Sequence, residues 1–356
     1  MKNIIKTVIV MLTSISLFGS ANAGELTVNG TAKATYNILS GKTNTGKGLG
    51  ITNELNFTAA GELDNGYTWS YSMELDPDAV AADNGAAQND DSKLTLTTPM
   101  GTVGVFMSEG GLDVEDAASQ SVYGRPTDIG DPSSGDGDNY TIDSYNNVQY
   151  HMPADMLPFG IVGKIAYAPD LDSDKNSGNA KGNTITETQT GNGRSATEIQ
   201  VKAAPLDGLA IGASYFEFDS AGVNGTKLNQ NPESGAYYAT YATGPFSIGY
   251  SKAFKAPLVA DGDLTSTTLA DYYEQTNISV AYAATDDLSI SYEKEEDKKN
   301  MQRDATADVE QESTSVQVAY TMGGMTLAVA HGSYDNVSYV EGDEVDQMLF
   351  AVTMAF

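Results

Sequence analysis

The feature that most constrains this chain is an alternation of period two that returns along almost its whole length. Between residues 25 and 39, Leu26, Val28, Gly30, Ala32, Ala34, Tyr36 and Ile38 alternate with Thr27, Asn29, Thr31, Lys33, Thr35 and Asn37. Successive side chains of an extended strand point to opposite faces, so this pattern predicts a strand with one apolar and one polar face. LNFTAAGEL and YTWSYSMEL, joined by Asp64-Asn65-Gly66, predict a hairpin with matching turn chemistry. Sixteen such segments follow one another, at about 25–39, 51–63, 66–76, 92–98, 101–107, 144–153, 160–169, 194–204, 209–219, 235–243, 246–255, 272–284, 288–297, 310–322, 325–334 and 345–356.

Their connections alternate in kind. Short turns such as DNG, PMG, PLDG, TGP, TDD and MGG take turns with long polar loops, many of them acidic. A meander with tight turns at one end and long loops at the other fits an all-β, up-and-down transmembrane barrel. Tyr241, Phe246, Tyr282 and Tyr320 fall beside short turns, and Tyr167, Tyr215 and Tyr292 toward the loop ends, where interfacial girdles belong. A soluble β-sandwich would also alternate, but its outer face normally carries more charge than the Thr, Ser, Asn, Gln and Ala found here.

The first residues predict a cleaved secretory leader over 1–23: Lys2 and Lys6 precede the apolar run TVIVMLTSISLF, and small residues end at Ala23. The remainder, 24–356, is expected to be one barrel domain. With 19 basic residues against 48 acidic ones, nucleic acid is an unfavourable partner, and removing two lysines with the leader deepens the imbalance. There is no cysteine, so stability rests on pairing and packing. Matches to N-x-S/T such as Asn29 and Asn56 fall within strands and read as chance.

The chain ends DQMLFAVTMAF, with Met348, Phe350, Val352, Met354 and the last residue, Phe356, on one face. This ending resembles the signature of bacterial outer-membrane barrels that is read by their assembly machinery. Together with ELDNGYTW, GTVGVF, YNNVQYHMP and the sixteen segments, the whole mature chain resembles the Gram-negative trimeric general-diffusion porins. The resemblance implies an outer-membrane location, outer-membrane lipid around the wall, a homotrimer, and passive passage of small hydrophilic solutes and ions, without a cofactor.

It also implies a role for residues 108–143, which show neither strand nor helix period. In that family the third long loop folds into the barrel and narrows it, and Ser108-Glu109-Gly110-Gly111 is similar to its start. The acids expected at the constriction are Glu109, Asp113, Glu115, Asp116, Asp128 and Asp131. Strand parity turns Lys33, Lys164, Lys202 and His151 inward on the pore wall. Carboxylates then outweigh lysines, which predicts a preference for cations.

Other readings are weaker. Asp170-x-Asp172-x-Asp174-x-Asn176 begins like a calcium loop, but Lys175 and Lys181 stand where glycine and glutamate are needed, so no metal site is expected. Hydrolysis would need an activated nucleophile or base, and His151 and His331 sit in no such motif. A sugar-specific channel would want inward aromatics, for which Phe106, Tyr145, Phe216 and Tyr238 are the candidates, and an anion-specific one would want arginines. Adhesion or phage reception through the long loops is compatible with transport.

Overall fold

The computed structural model describes residues 25–76, 88–129, 137–169, 195–219, 228–257, 259–260, 269–302 and 307–356. The expected leader, the Asp170 to Asn176 spacing and Asp131 lie outside the described residues.

The first strands are β1 (Glu25–Gly41), β2 (Gly46–Glu62), β3 (Thr68–Asp76), β4 (Gln88–Thr98), β5 (Gly101–Met107) and β6 (Asn147–His151). Next come β7 (Val162–Ala168), β8 (Ser195–Leu206), β9 (Leu209–Asp219), β10 (Leu228–Gln230), β11 (Glu233–Thr243) and β12 (Phe246–Ala256). The last are β13 (Val259–Ala260), β14 (Ala270–Ala283), β15 (Leu288–Met301), β16 (Val309–Met322), β17 (Met325–Asp335) and β18 (Glu344–Ala355). Among these, β10 and β13 form a separate two-stranded ribbon, while the others close into a sixteen-strand antiparallel barrel in chain order. Residues too few to establish a period cannot be read as strands from sequence, which is why the ribbon was not foreseen.

Closure removes the edges that an open sheet would expose to lipid. It is made by β1 against β18, from Thr31 opposite Ala355 to Gly41 opposite Val345. Just beyond, Phe356 N donates to Gly30 O at 3.0 Å and Gly30 N to Phe356 O at 2.8 Å, so the last residue completes the ladder. The β2–β3 turn closes with Leu63 N on Tyr67 O at 2.7 Å, and Gly66 takes a φ of 80° that a side chain would resist.

The apolar parity faces outward. Tyr36 stacks on Phe350 with ring centroids 6.5 Å apart, and Phe246 on Tyr282 at 4.8 Å, both pairs on the outer wall. Tyr241, Phe246, Tyr282 and Tyr320 are exposed there beside the short turns. The opposite parity points into the barrel, and its buried residues include Gln149, Ser214, Ser251, Asn277 and Gln317. Strand limits differ from expectation at β2, which starts at Gly46 instead of 51, at β4, which starts at Gln88 instead of 92, and at β15, which runs to Met301 instead of 297. They differ also at β6, which starts at Asn147 instead of 144 because residues Ile142–Ser144 form a 3-10 turn. Among the described residues no helix is long and apolar enough to cross a membrane.

Candidate functional site

A segment of nearly forty residues without regular structure must still satisfy its backbone, since a buried unpaired amide costs about 1–3 kcal/mol. Between β5 and β6 it does so by borrowing inward side chains from the wall. Gln149 on β6 donates to Gly110 O at 2.5 Å, and Gln200 on β8 donates to Leu112 O at 2.6 Å. Val114 N reaches Ser214 Oγ on β9 at 3.2 Å, and Ser251 Oγ on β12 donates to Glu115 O at 2.8 Å. Farther on, Gln120 N donates to Ser279 Oγ at 2.7 Å and Val122 N to Ser291 Oγ at 3.0 Å. Tyr123 N donates to Gln317 Oε1 at 2.9 Å, and Gln347 on β18 donates to Ile129 O. The loop therefore runs inside the barrel along the wall from β6 to β18.

It then comes back over itself. Asn139 N donates to Glu115 Oε2 at 3.0 Å and Tyr140 N to Ser234 Oγ on β11 at 3.0 Å. Glu198 on β8, fully buried, joins the two limbs: one oxygen, Oε2, accepts Leu112 N at 3.3 Å and Ile142 N at 2.9 Å. Glu293 on β15 accepts Ser119 Oγ at 2.6 Å and Ser121 Oγ at 2.5 Å.

Apolar contacts tack down the same path. Leu112 and Ile142 pack on Phe216 and Phe218, with Tyr140 and Tyr145 against them. Val114 and Ala118 meet Tyr238 and Ala253, and Ile129 meets Leu349 and Ala351. Phe216 and Tyr238 thus lie beneath the loop, Tyr145 packs at its edge, and buried Phe106 meets the His151 ring at 5.8 Å. None of these four forms an open aromatic track. Gly249 on β12 makes the closest approach possible, because a Cβ there would run into the Ala118 carbonyl.

The expected acids occupy different settings. Glu109 forms an ion pair with Lys93 on β4. Asp113 accepts Ser214 Oγ at 2.9 Å and Asn139 Nδ2 at 3.0 Å, which ties it to the wall and the return limb. Glu115 is a correction: it opens the 3-10 turn Glu115–Ala118, but its side chain is buried beneath the loop instead of facing the lumen. Burial first, then the Asp113 and Asp116 charges, push its carboxyl well above the ordinary range. Asp116 and Asp128 keep 57% and 52% of their side-chain surface exposed. Desolvation by the surrounding loop and wall raises Asp116 to about 7, against the lowering effect of Arg125.

Arg125, which the sequence reading passed over, is the centre of this group. Its guanidinium pairs with Asp116, forks onto Asp128, and lies 3.7 Å from the buried Glu295. Burial alone would lower it, but Glu295, Asp116 and Asp128 outweigh that and hold it cationic. No period marks a residue in an irregular loop, and the one signal available was a lone arginine amid acids.

On the wall, His151 Nε2 meets Gln149 Oε1 at 2.7 Å, on the inward face, and His151 pairs in register with Lys164. Lys164 lies within electrostatic reach of Lys202 and of Lys93. Lys33 pairs with Thr353 and Thr52, sharing the inward face. Lys93 was missed, although its parity with Thr95 and Thr97 could have found it. Because the loop's wall bonds run from β6 to β18, Lys33 and the inward Thr52 and Ser72 remain on uncovered wall. His331 faces outward, so the two histidines lie on opposite faces. Among the described residues no group of three or more His, Cys, Asp or Glu side chains is arranged to hold a metal ion.

The sequence profile of a family described as Gram-negative porin matches residues 8–355. Among solved structures, the fold is similar to OmpF of Salmonella typhi, solved with daunomycin, at a TM-score of 0.64 and 15% identity over 94% of this chain and 98% of that one. It is also similar to a loop-deleted form of OmpT, an outer-membrane protein of Vibrio cholerae, at 0.62 and 13% over 94% and 100%. A variant of the Rh. blastica porin matches at 0.59 and 12% over 93% and 100%. No curated protein matches the sequence.

Proposed function

Because the chain belongs to the Gram-negative porin family, and so is a non-enzymatic channel of the outer membrane, we propose that it passes small hydrophilic solutes with a preference for cations. The observation that carries this reading is the exposure of Asp116 and Asp128 on a loop bonded along the inner wall. Sixteen strands enclose a lumen too wide for wall side chains to fill, so water occupies it. Exposed carboxylates at its narrowest level attract cations and repel anions. Glu109 contributes less because Lys93 balances its charge one to one, whereas Asp116 and Asp128 share the single guanidinium of Arg125, and Asp113 is tied to the wall and the return limb. Lys33, Lys93, Lys164 and Lys202 form the basic side of the passage, with His151 among them.

The proposal includes a homotrimer. Gly30, Ala32 and Ala34 give β1 a smooth outer face, and beside them Leu49 and Ile51 on β2 are 83% and 73% exposed. An apolar strip beside small residues suits the close approach of another wall.

Planar-bilayer recording of the purified protein under a potassium chloride gradient tests the reading. A reversal potential of the sign for cation preference, reduced by Asp116→Asn with Asp128→Asn, is expected. Anion preference would overturn the selectivity, and absence of conductance would overturn the channel. Cross-linking in mild detergent is expected to give a three-chain species.

A further inference from the structure

Near the loop-side end of the barrel, three inward residues stand in one row across three strands: Lys255 on β12 is opposite Tyr273 on β14, and Tyr273 is opposite Lys299 on β15. Their side chains lean together. Lys255 Nζ lies 6.0 Å from the Tyr273 ring centroid and Lys299 Nζ lies 5.8 Å from it. Outside this pair come two more rings, Tyr140 from the constriction loop at 4.8 Å from Lys255 and Tyr339 at 5.5 Å from Lys299. Three rings and two ammonium groups thus alternate along the inner wall.

The structure spends strain on this arrangement. Tyr339 belongs to the connection between β17 and β18, in which Asn336, Ser338 and Tyr339 all take left-handed φ angles of 56°, 55° and 57°. Such conformations are unfavourable for non-glycine residues and persist where the surroundings impose them. Here Tyr339 OH donates to Asp297 Oδ2 at 2.6 Å, and its ring packs on Tyr273 at 5.7 Å. Asp138 lies within reach of the Lys255 charge. Both lysines remain half-buried, whereas the Tyr273 and Tyr339 rings are almost wholly covered, so what the ladder presents to the lumen is its ammonium groups.

We propose that this ladder is a docking site for a small dicarboxylate, met by solutes entering from the loop side. Adjacent strands are about 4.8 Å apart, which puts the two lysine backbones roughly 10 Å from each other. A single carboxylate cannot bridge ammonium groups held on either side of a ring. Two carboxylates on a short carbon chain can, each accepting a charge-assisted hydrogen bond of about 2.8 Å. In a chain with 48 acidic and 19 basic residues, a paired inward cation is a departure from the general field, and it lies on wall distant in sequence from Lys93, Lys164 and Lys202. The cation–π contacts hold the ammonium groups in place before an anion arrives.

The inference rests on the channel reading, and the test separates the two. Succinate, with acetate as the monovalent control, is added on the loop side of a bilayer holding single channels in potassium chloride. Succinate is expected to produce concentration-dependent current interruptions that acetate does not. Lys255→Gln with Lys299→Gln should weaken the response roughly tenfold, as the loss of charged hydrogen bonds implies, while Lys255→Arg with Lys299→Arg retains it. Conducting wild-type channels that respond equally to succinate and acetate would overturn the site and leave the channel reading intact. So would an undiminished succinate response in the glutamine variant.

Discussion

Arg125 and Asp128 meet as a fork, with Nε 2.9 Å from Oδ2 and Nη2 3.1 Å from Oδ1. The fork turns a guanidinium on the constriction loop so that it also faces Asp116 and the buried Glu295 of β15. One cation thus joins the loop to the wall and moderates both exposed acids. Arg125→Leu removes it and leaves Glu295 buried without its counter-charge, a loss of about 3 kcal/mol or more. The expected outcome is faster proteolysis within 108–143, with the barrel itself retained, and a stronger cation preference in a salt gradient. Arg125→Lys keeps the charge without the fork and should fall between the two.

Protonation gives a second prediction, and its sign follows from the direction of the shift. Asp116 sits near 7 in place of its ordinary 3.8, so its carboxyl is charged above neutral pH and uncharged below it. Cation preference is therefore expected to decline between pH 8 and pH 6. Asp116→Asn should flatten that step and resemble the wild type at low pH. Glu115 behaves differently: its carboxyl is raised well above its usual range, buried, and turned toward Asn139 instead of the lumen, so Glu115→Gln should leave the reversal potential unchanged. A step confined to pH 4 would show that Asp116 keeps an ordinary acidity.

The grip of β8 on the loop supplies a third. Both amides held by Glu198, those of Leu112 and Ile142, bond to the same oxygen, Oε2. Glutamine can present an oxygen there, whereas alanine leaves two buried N–H groups unpaired at about 1–3 kcal/mol each. Glu198→Gln should therefore conduct as the wild type does. Glu198→Ala should give noisy, variable single-channel currents and earlier cleavage of the loop by protease. Similar noise in both variants would mean that the charge of Glu198, and not its acceptor position, holds the limbs.

The barrel was legible because lipid outside and water inside impose a period of two on every strand, as Leu26 to Ile38 against Thr27 to Asn37 show. Tight turns such as Asn65-Gly66 have their own chemistry and were equally plain. The site was much less so. Glu198, Ser251 and Gln317 sit at inward parity among other polar residues, and parity does not distinguish a side chain that wets the lumen from one that grips a loop. For the same reason Glu115 read as a pore acid until its burial placed it against Asn139. Arg125 and the Lys255–Tyr273–Lys299 row arise from contacts between segments distant in sequence, which no local pattern encodes.

A last prediction concerns how near the loop can lie to the wall. At β12 the Ala118 backbone crosses directly over Gly249, where even a methyl group would meet its carbonyl oxygen. Both sides are backbone, so neither can swing aside as a flexible side chain could, and relief must come from moving the loop. The bonds on either side, Glu115 O from Ser251 and Gln120 N to Ser279, resist a slide along the wall. The remaining direction is inward, into the lumen. Gly249→Ala is accordingly expected to lower single-channel conductance and to cost about 1–3 kcal/mol of loop stability. The adjacent outward substitution Tyr250→Phe, which changes neither the loop contact nor the apolar face, serves as the control. Equal conductance in Gly249→Ala and the wild type would mean that the loop does not rest on β12 at this point.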